Sequence, residues 1–158
     1  MTATNGRLAS DEDVLDHAAA SLTLHVRDLD ASVHWYSSVF GTQPVHRGTD
    51  TSLDGATISF AVFVLAGMKV FLSETGAGHV DCDHESHPPT LVFMTRRPLA
   101  ELRHLLESRG ALFRADEVVE GFPVDDAGVR AGRNAEFLWF YDLDGNKMEF
   151  CRVLTTKS

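Results

Sequence analysis

Apolar and polar residues alternate between positions 21 and 26, and this period of two predicts a β-strand. Ser21, Thr23 and His25 form the polar face of that strand, and the residues between them form its apolar face. A strand of this kind packs its apolar face against a core and turns the other face toward solvent or a cavity.

A helix is predicted to follow, because apolar residues recur at helical spacing from residue 29 to residue 40. Asp28 or Asp30 can cap its start, and Gly41 can end it in a left-handed conformation. Alternation then predicts three more strands, at residues 43–47, 57–65 and 69–73, with Ala66-Gly67 as the last turn.

The second half of the chain repeats this order. Thr90 begins another alternating strand, Pro98 suits the first turn of a second helix, and Gly110 can end that helix. The offset between Ser21 and Thr90 equals the offset between Gly41 and Gly110. An internal repeat predicts two similar β-α-β-β-β modules and therefore an α+β fold. The remaining strands are predicted at residues 112–118, 136–141 and 147–153.

The repeat divides the chain into an extension and a single domain. Residues 1–20 form the N-terminal extension, in which residues 10–13 can cap a short helix. The domain covers residues 21–158, and its loop at residues 120–134 is expected to form a lid or rim. Its parts are module one at about 21–74, a joint at about 75–89, and module two at about 90–153.

The segment 140–150 carries the most specific pattern, a strand, a tight turn and a second strand. Asp144-Gly145-Asn146 supplies the turn, because Gly and Asn accept the positive φ of hairpin turns. Glu149 lies between Met148 and Phe150, so alternation points its carboxylate to the face opposite these apolar neighbours. A carboxylate on the concave side of a sheet needs a ligand or a partner, since an isolated charge there is unfavourable.

The composition excludes several classes of partner. The 158 residues carry a net charge of −9, so neither nucleic acid nor an anionic membrane surface is expected as a partner. No apolar run approaches the ~20 residues of a membrane span, and the acidic residues 11–13 do not suit a signal peptide. Two cysteines, Cys82 and Cys151, make no disulfide framework, which favours a cytoplasmic location.

Three stretches resemble the vicinal oxygen chelate superfamily, which includes glyoxalases, bleomycin-resistance proteins and extradiol dioxygenases. The resemblance covers about residues 21–153, and in the hairpin Leu143 stands where the family has proline. The stretches are residues 21–41 with Ser32, Trp35-Tyr36 and Phe40-Gly41, the helix at residues 99–110, and the hairpin at residues 140–150.

The resemblance implies paired modules that form a curled open barrel around a ligand cavity, and commonly a homodimer. It also implies a divalent metal ion held by three or four side chains. At the corresponding positions here Glu149 matches the family, whereas Ser21, Phe71 and Thr90 replace the other ligands. Because Zn²⁺, Fe²⁺ or Mn²⁺ requires three or more protein donors, we expect no metal and no cofactor.

His25 and Glu149 each have two interpretations. His25 is either a histidine hydrogen-bonded to core groups or a ligand-binding, acid–base histidine in the cavity. Glu149 is either an ion-pair partner of Arg152 or Arg133, or an acceptor and general base for a ligand hydroxyl or amine. Residues three apart in a strand face opposite sides, which weakens the pairing with Arg152.

An aromatic row accompanies Glu149. Phe137, Trp139 and Tyr141 alternate on the face expected for Glu149, and Phe71 joins them from module one. The row is either plain core or the lining of a cavity for a flat or apolar ligand. The candidate ligand-binding residues are Ser21, Thr23, His25, Phe71, Thr90, Phe137, Trp139 and Glu149.

The joint between the modules contains metal-binding residue types at spacings that fit no compact zinc pattern. It is interpreted as a solvated loop, with adventitious metal binding or His87 at the cavity rim as the alternatives. Its residues of this kind are His79, Asp81, Cys82, Asp83, His84 and His87.

These patterns support two classes of function. The first is a metal-free protein that binds or sequesters a small, partly aromatic molecule, as drug-binding members of the family do. The second is an enzyme, a lyase, isomerase, cyclase or dioxygenase, that uses His25 and Glu149 as catalytic residues or a displaced metal site. The fold alone does not separate them, because this scaffold hosts many chemistries.

Overall fold

The computed structural model describes residues 21–51, 55, 57–74, 90–114 and 123–154. The helix predicted within residues 1–20 lies outside this part of the chain, as does the joint at residues 75–89 with its histidines.

The first half of the chain forms a four-stranded sheet, the first sheet, with one helix. The strand order is β1-β4-β3-β2, in which β1 and β4 are parallel and the other neighbours are antiparallel. The elements are β1 (Ser21–Val26), α1 (Leu29–Phe40), β2 (His46–Thr51), β3 (Thr57–Leu65) and β4 (Met68–Glu74).

The second half forms the second sheet with the same topology. Its strand order is β5-β8-β7-β6, again with one parallel pair, β5 and β8. The predicted α+β architecture of two similar units is confirmed, with two open sheets rather than a closed barrel in the described residues. The elements are β5 (Leu91–Met94), α2 (Leu99–Ser108), β6 (Arg130–Ala131), β7 (Ala135–Tyr141) and β8 (Lys147–Val153).

The predicted helix-capping residues are confirmed at α1 and only in part at α2. Asp28 caps α1 by accepting a 2.9 Å hydrogen bond from the backbone N–H of Ala31. Gly41 ends α1 in the left-handed conformation, with φ of 67°. Pro98 precedes α2 as its N-cap residue instead of lying in the first turn, and the helix ends at Ser108, before Gly110.

One strand prediction was wrong in position, and a second is tested only in part. The strand predicted at residues 43–47 begins at His46, because Pro44 has no N–H to donate to a ladder. Of the strand predicted at residues 112–118, the structure shows an isolated bridge between Leu112 and Tyr141, and residues 115–118 lie outside the described part. The edge strand β6 instead comes from the loop predicted at residues 120–134.

One core joins the two sheets through α1. Tyr36, Phe63 and Phe140 are fully buried, and they come from α1, β3 and β7. The ring of Phe40, at the end of α1, lies 5.5 Å from the ring of Phe93 in β5. The two halves therefore fold around shared aromatic contacts. None of the described helices has the length and apolarity that a membrane crossing requires.

Candidate functional site

The polar face of β1 points away from the core, as alternation predicts. Leu24 and Val26 are buried, whereas Ser21, Thr23 and His25 are exposed. The same face therefore continues onto the neighbouring strands through the ladder register.

The first sheet presents an aromatic surface beside this polar strand face. Thr23 is opposite Phe71 of β4, and His25 is opposite Ser73. Phe60 of β3 lies opposite Ser73 of β4, and its ring centroid is 6.3 Å from that of Phe71. These rings and hydroxyls form one continuous polar and aromatic face.

His46 extends that face at the sheet edge, with its ring 5.6 Å from the ring of Phe60. Sequence reasoning missed His46 and Phe60. His46 lies opposite Val62 and Phe60 lies opposite Ser73, so both side chains fall on the same face as Phe71. The register that the predicted Ala66-Gly67 turn sets between β3 and β4 was the signal that could have placed Phe60 on this face.

Glu149 and Trp139 are direct neighbours across β7 and β8 in the second sheet. The indole N–H of Trp139 donates a 2.7 Å hydrogen bond to Oε2 of Glu149. Glu149 is half-buried, so this donor compensates part of the desolvation of the carboxylate. Val92 of β5 is opposite Glu149 and is exposed.

Two cations lie over the Trp139 ring. The Arg130 guanidinium carbon is 4.1 Å from the ring centroid, and the Lys147 ammonium nitrogen is 3.3 Å from it. Cation–π attraction and the hydrogen bond to Glu149 together fix the orientation of this indole. The second sheet therefore carries an aromatic ring with one carboxylate and two cations around it.

Arg152, one of the two arginines proposed as partners for Glu149, is engaged elsewhere. Arg152 pairs with Glu136 at 3.1 Å, on the opposite face of the sheet. Phe137 is opposite Cys151, so it shares the face of Glu149 and Trp139. Burial, and then the charge of Glu149, raise the pKa of the Cys151 thiol, which keeps this cysteine in its protonated form.

The candidate residues thus fall into two groups, one on each sheet. Ser21, Thr23, His25 and Phe71 lie on the first sheet, and Phe137, Trp139 and Glu149 lie on the second. Thr90 is half-buried and immediately precedes β5. The two groups are linked at the hairpin, where the Asn146 side-chain amide donates to the backbone oxygen of His25 at 3.2 Å.

Asp142 organises the hairpin and was not singled out from the sequence. Its Oδ1 accepts from the backbone N–H groups of Asp144 and Asn146 at 2.9 and 2.8 Å. Its Oδ2 accepts from the Tyr36 hydroxyl at 2.9 Å and from the Asn146 side chain at 2.8 Å. The Asx-turn chemistry of an aspartate before Asp-Gly-Asn was the available signal.

Burial controls the acid–base behaviour of this pair. Desolvation raises the pKa of the Asp142 carboxyl, and the hydrogen bonds from Asn146 and Tyr36 partly oppose the rise. Desolvation, followed by the Asp142 charge, raises the pKa of the Tyr36 phenol well above its usual value. The hairpin is further tied to the start of α1 by Arg27, whose Nε donates to Asp144 at 2.8 Å.

Solved structures with the same arrangement of elements are known. A glyoxylase/bleomycin resistance protein/dioxygenase domain from Frankia sp. EAN1pec matches with a TM-score of 0.64 and 26% identity, covering 89% of this chain and 94% of that one. A glyoxalase family protein from Bacillus cereus matches with a TM-score of 0.62 and 14% identity, covering 93% and 100%. No protein-family model matches the sequence, and no curated protein matches it significantly.

The resemblance to the vicinal oxygen chelate superfamily is therefore confirmed at the level of the fold. Another neighbour with this fold is a point mutant of the fosfomycin resistance protein FosX of Listeria monocytogenes, in complex with Mn(II) and 1S,2S-dihydroxypropylphosphonic acid. It has a TM-score of 0.55 and 17% identity, and the match covers 87% of this chain and 93% of FosX.

The residues at the superfamily's metal positions do not fit a divalent cation in this chain. Phe71 has no donor atom, and the hydroxyls of Ser21 and Thr90 are weak ligands beside imidazole. Glu149 is the one carboxylate of the set, and its Oε2 already accepts from Trp139. In the described part of the chain no three His, Cys, Asp or Glu side chains come together in a geometry that could hold a metal ion.

Proposed function

We propose that this protein binds a small, partly aromatic molecule without a metal ion, and so sequesters it as drug-binding resistance proteins do. The observation that carries the proposal is the pair Trp139 and Glu149, in which a fixed indole lies beside a half-buried carboxylate. Partly aromatic ligands pack against the apolar side chains of this face, and the carboxylate supplies one directional polar contact.

Glu149 retains the capacity to bind a ligand after its contact with Trp139. A carboxylate offers about four acceptor positions on its two oxygens, and the indole N–H uses one of them. A ligand hydroxyl or amine is the matching donor. Phe137 and the exposed Val92 supply apolar surface next to this acceptor.

The first sheet supplies a second surface of the same character. Thr23 and His25 provide polar groups beside Phe71 and Phe60. A ligand held by both surfaces would contact hydroxyl, imidazole and carboxylate groups, with aromatic side chains around them. We propose that these two surfaces are the ligand-binding faces.

A homodimer is part of this proposal, because both faces carry exposed apolar side chains. On the second sheet, Met94 is 66% exposed and Val153 is 58% exposed, and both share the face of Glu149 by ladder register. On the first sheet, Val64 is exposed beside Lys69 and Ser21. A second copy that covers these faces would remove apolar surface from water and enclose the ligand. The cytoplasmic location stays a prediction.

The test combines ligand identification with metal analysis. Protein purified without an affinity tag is examined by native mass spectrometry for bound small molecules and by elemental analysis for metals. We expect a bound organic molecule at substoichiometric or higher occupancy and no stoichiometric metal. Stoichiometric Zn, Fe, Mn or Ni that depends on Glu149 would overturn the metal-free site.

Matched variants then assign the site. We expect Glu149→Gln to weaken binding of the identified molecule by about tenfold, because an amide is a weaker acceptor than a carboxylate. Glu136→Gln is the control, since Glu136 pairs with Arg152 on the opposite face. Equal losses of affinity in the two variants would show that the ligand does not bind at the face of Glu149. Conversion of the molecule to a product that requires His25 would replace the binding function with an enzymatic one.

A further inference from the structure

A small cavity at the edge of the second sheet has a different character from the two ligand-binding faces. It has a volume of about 200 Å³ and lies between α2, the edge strand β6 and the turn at residues 124–128. Three arginines line it, Arg103 from α2, Arg114 after α2 and Arg130 from β6. These residues are far apart in sequence and meet only in the folded chain.

Each of the three guanidinium groups lies over an aromatic ring. The guanidinium carbon is 4.5 Å from the ring centroid for Arg103 over Phe113, and 4.1 Å for Arg114 over Tyr141. The third, Arg130, lies over Trp139. A guanidinium whose face is covered by a ring keeps its N–H groups in its own plane, where they form a fork for an oxyanion.

Gly128 makes room for one of these groups. A Cβ atom at this position would lie 1.8 Å from Nη1 of Arg103, and the residue has φ of 70°. Any other residue would displace the guanidinium and strain the turn. The turn itself is fixed by Asp125, whose Oδ1 accepts from the backbone N–H of Val129 at 2.8 Å.

The charge around the cavity contrasts with that of the chain. The whole chain carries a net charge of −9, yet three arginines meet at this one small cavity, with Asp125 and Asp126 as its acidic lining residues. In the described ranges, neither Arg103 nor Arg114 forms an ion pair with a carboxylate. Three arginines against two aspartates leave the lining with a net positive charge, which favours a bound anion.

We propose that this cavity is an oxyanion site, which binds the carboxylate or phosphoryl group of a small ligand through Arg103 and Arg114, with the buried charge of Arg130 behind them. The volume accommodates a group of a few heavy atoms rather than a drug-sized molecule. The site goes beyond the proposed aromatic ligand face and does not require Glu149, although Trp139 borders both.

Titration with inorganic phosphate and with acetate, neither of which has an aromatic ring, tests the proposal and separates the two sources of the anion. Isothermal titration calorimetry on the full chain is expected to give a Kd of about 1 mM or tighter for at least one probe. The indole N–H signal of Trp139 is expected to shift in the same titration. Tighter binding of acetate supports a carboxylate ligand, and tighter binding of phosphate supports a phosphoryl ligand.

Arg103→Gln and Arg114→Gln are each expected to weaken anion binding by about tenfold, because each removes one guanidinium group and its charge-assisted hydrogen bonds. Arg97→Gln removes the same charge from an exposed position outside the cavity and is expected to leave binding within about twofold. Gly128→Ala is expected to weaken anion binding, because the added Cβ displaces the Arg103 guanidinium. If Gly128→Ala does not fold, the two glutamine variants still test the proposal. Glu149→Gln is expected to retain anion binding, so failure of the aromatic face and failure of this site are distinguishable.

The absence of binding by either probe in the unaltered protein would overturn the oxyanion site. An equal loss in Arg97→Gln and Arg103→Gln would also overturn it, because binding would then reflect the overall charge of the surface.

Discussion

The Tyr36 hydroxyl donates a 2.9 Å hydrogen bond to the buried carboxylate of Asp142, and this contact joins α1 of the first half to the hairpin of the second. The two residues are 106 positions apart in the chain. Asp142 also holds the hairpin turn through Asp144 and Asn146. The turn that presents Glu149 at the sheet face is therefore anchored to the other half of the molecule.

Removal of this anchor is expected to destabilise the fold. Asp142→Ala leaves the Tyr36 hydroxyl and the hairpin donors without their acceptor in a buried setting, which costs about 3–5 kcal/mol in the free energy of unfolding. Urea denaturation followed by circular dichroism measures it. Asp126→Ala, at an exposed turn position, is the control and should change stability by no more than about 0.5 kcal/mol. Similar losses in both variants would contradict the anchoring role.

The raised pKa of Asp142 predicts how the Tyr36 contact depends on pH. Because the pKa is higher in the folded state, ionised Asp142 opposes folding above that pKa, and protonation relieves the cost as pH falls through it. The Tyr36 hydroxyl lowers this pKa by stabilising the ionised form. Tyr36→Phe should therefore cost about 1.5–3 kcal/mol near neutral pH, and less at acid pH below the raised pKa of Asp142, where the carboxyl takes up a proton. A loss of stability that is independent of pH would show that the hydroxyl does not act on an ionised Asp142.

The two tryptophans provide a matched pair for the ligand face. Trp139→Phe removes the donor to Glu149 and weakens the surface between Arg130 and Lys147, so affinity for an aromatic ligand should fall by about tenfold. Trp35 donates a 2.7 Å hydrogen bond to the backbone oxygen of Gly110 inside the fold. Trp35→Phe should lower the melting temperature and leave ligand affinity unchanged. Fluorescence titration and thermal unfolding measure both; equal losses of affinity would contradict the assignment of the face to Trp139.

Metal removal is expected to leave ligand binding unchanged. The set Ser21, Phe71, Thr90 and Glu149 offers too few donors for a divalent ion, so EDTA should alter neither the melting temperature nor the affinity for the identified ligand. Differential scanning fluorimetry with and without chelator measures this. If chelation does weaken binding, a triple His79→Ala, His84→Ala, His87→Ala variant shows whether the histidines of the joint hold the metal.

The sequence predicted most of the fold because local patterns determine most of it. The bounds of β8 follow alternation, and α1 begins and ends at its cap residues. Strand β6 was missed because two residues carry no periodicity, and it exists only through pairing with β7. The resemblance to the superfamily could be recognised from the sequence, because its motifs lie in the hairpin and the first helix.

The candidate site was predictable only in part. Alternation places Trp139 and Glu149 on one face, but their hydrogen bond depends on the register that the turn sets. The cluster of Arg103, Arg114 and Arg130 had no sequence signal, since a helix, a loop and an edge strand bring it together. Contacts of this kind follow from tertiary packing rather than from local propensity.

The exposed apolar side chains beside Glu149 predict a concentration-dependent dimer. Met94→Glu places a charge on the face that a second copy is expected to cover, so the dimer dissociation constant should rise by about tenfold or more. Sedimentation velocity over a dilution series measures it. Leu143→Glu is the matched control, because Leu143 is 42% exposed in the hairpin turn, outside the strands that form this face. We expect ligand affinity to fall with dimerisation in Met94→Glu and to persist in Leu143→Glu. A monomeric unaltered protein that binds its ligand would show that one chain completes the site alone.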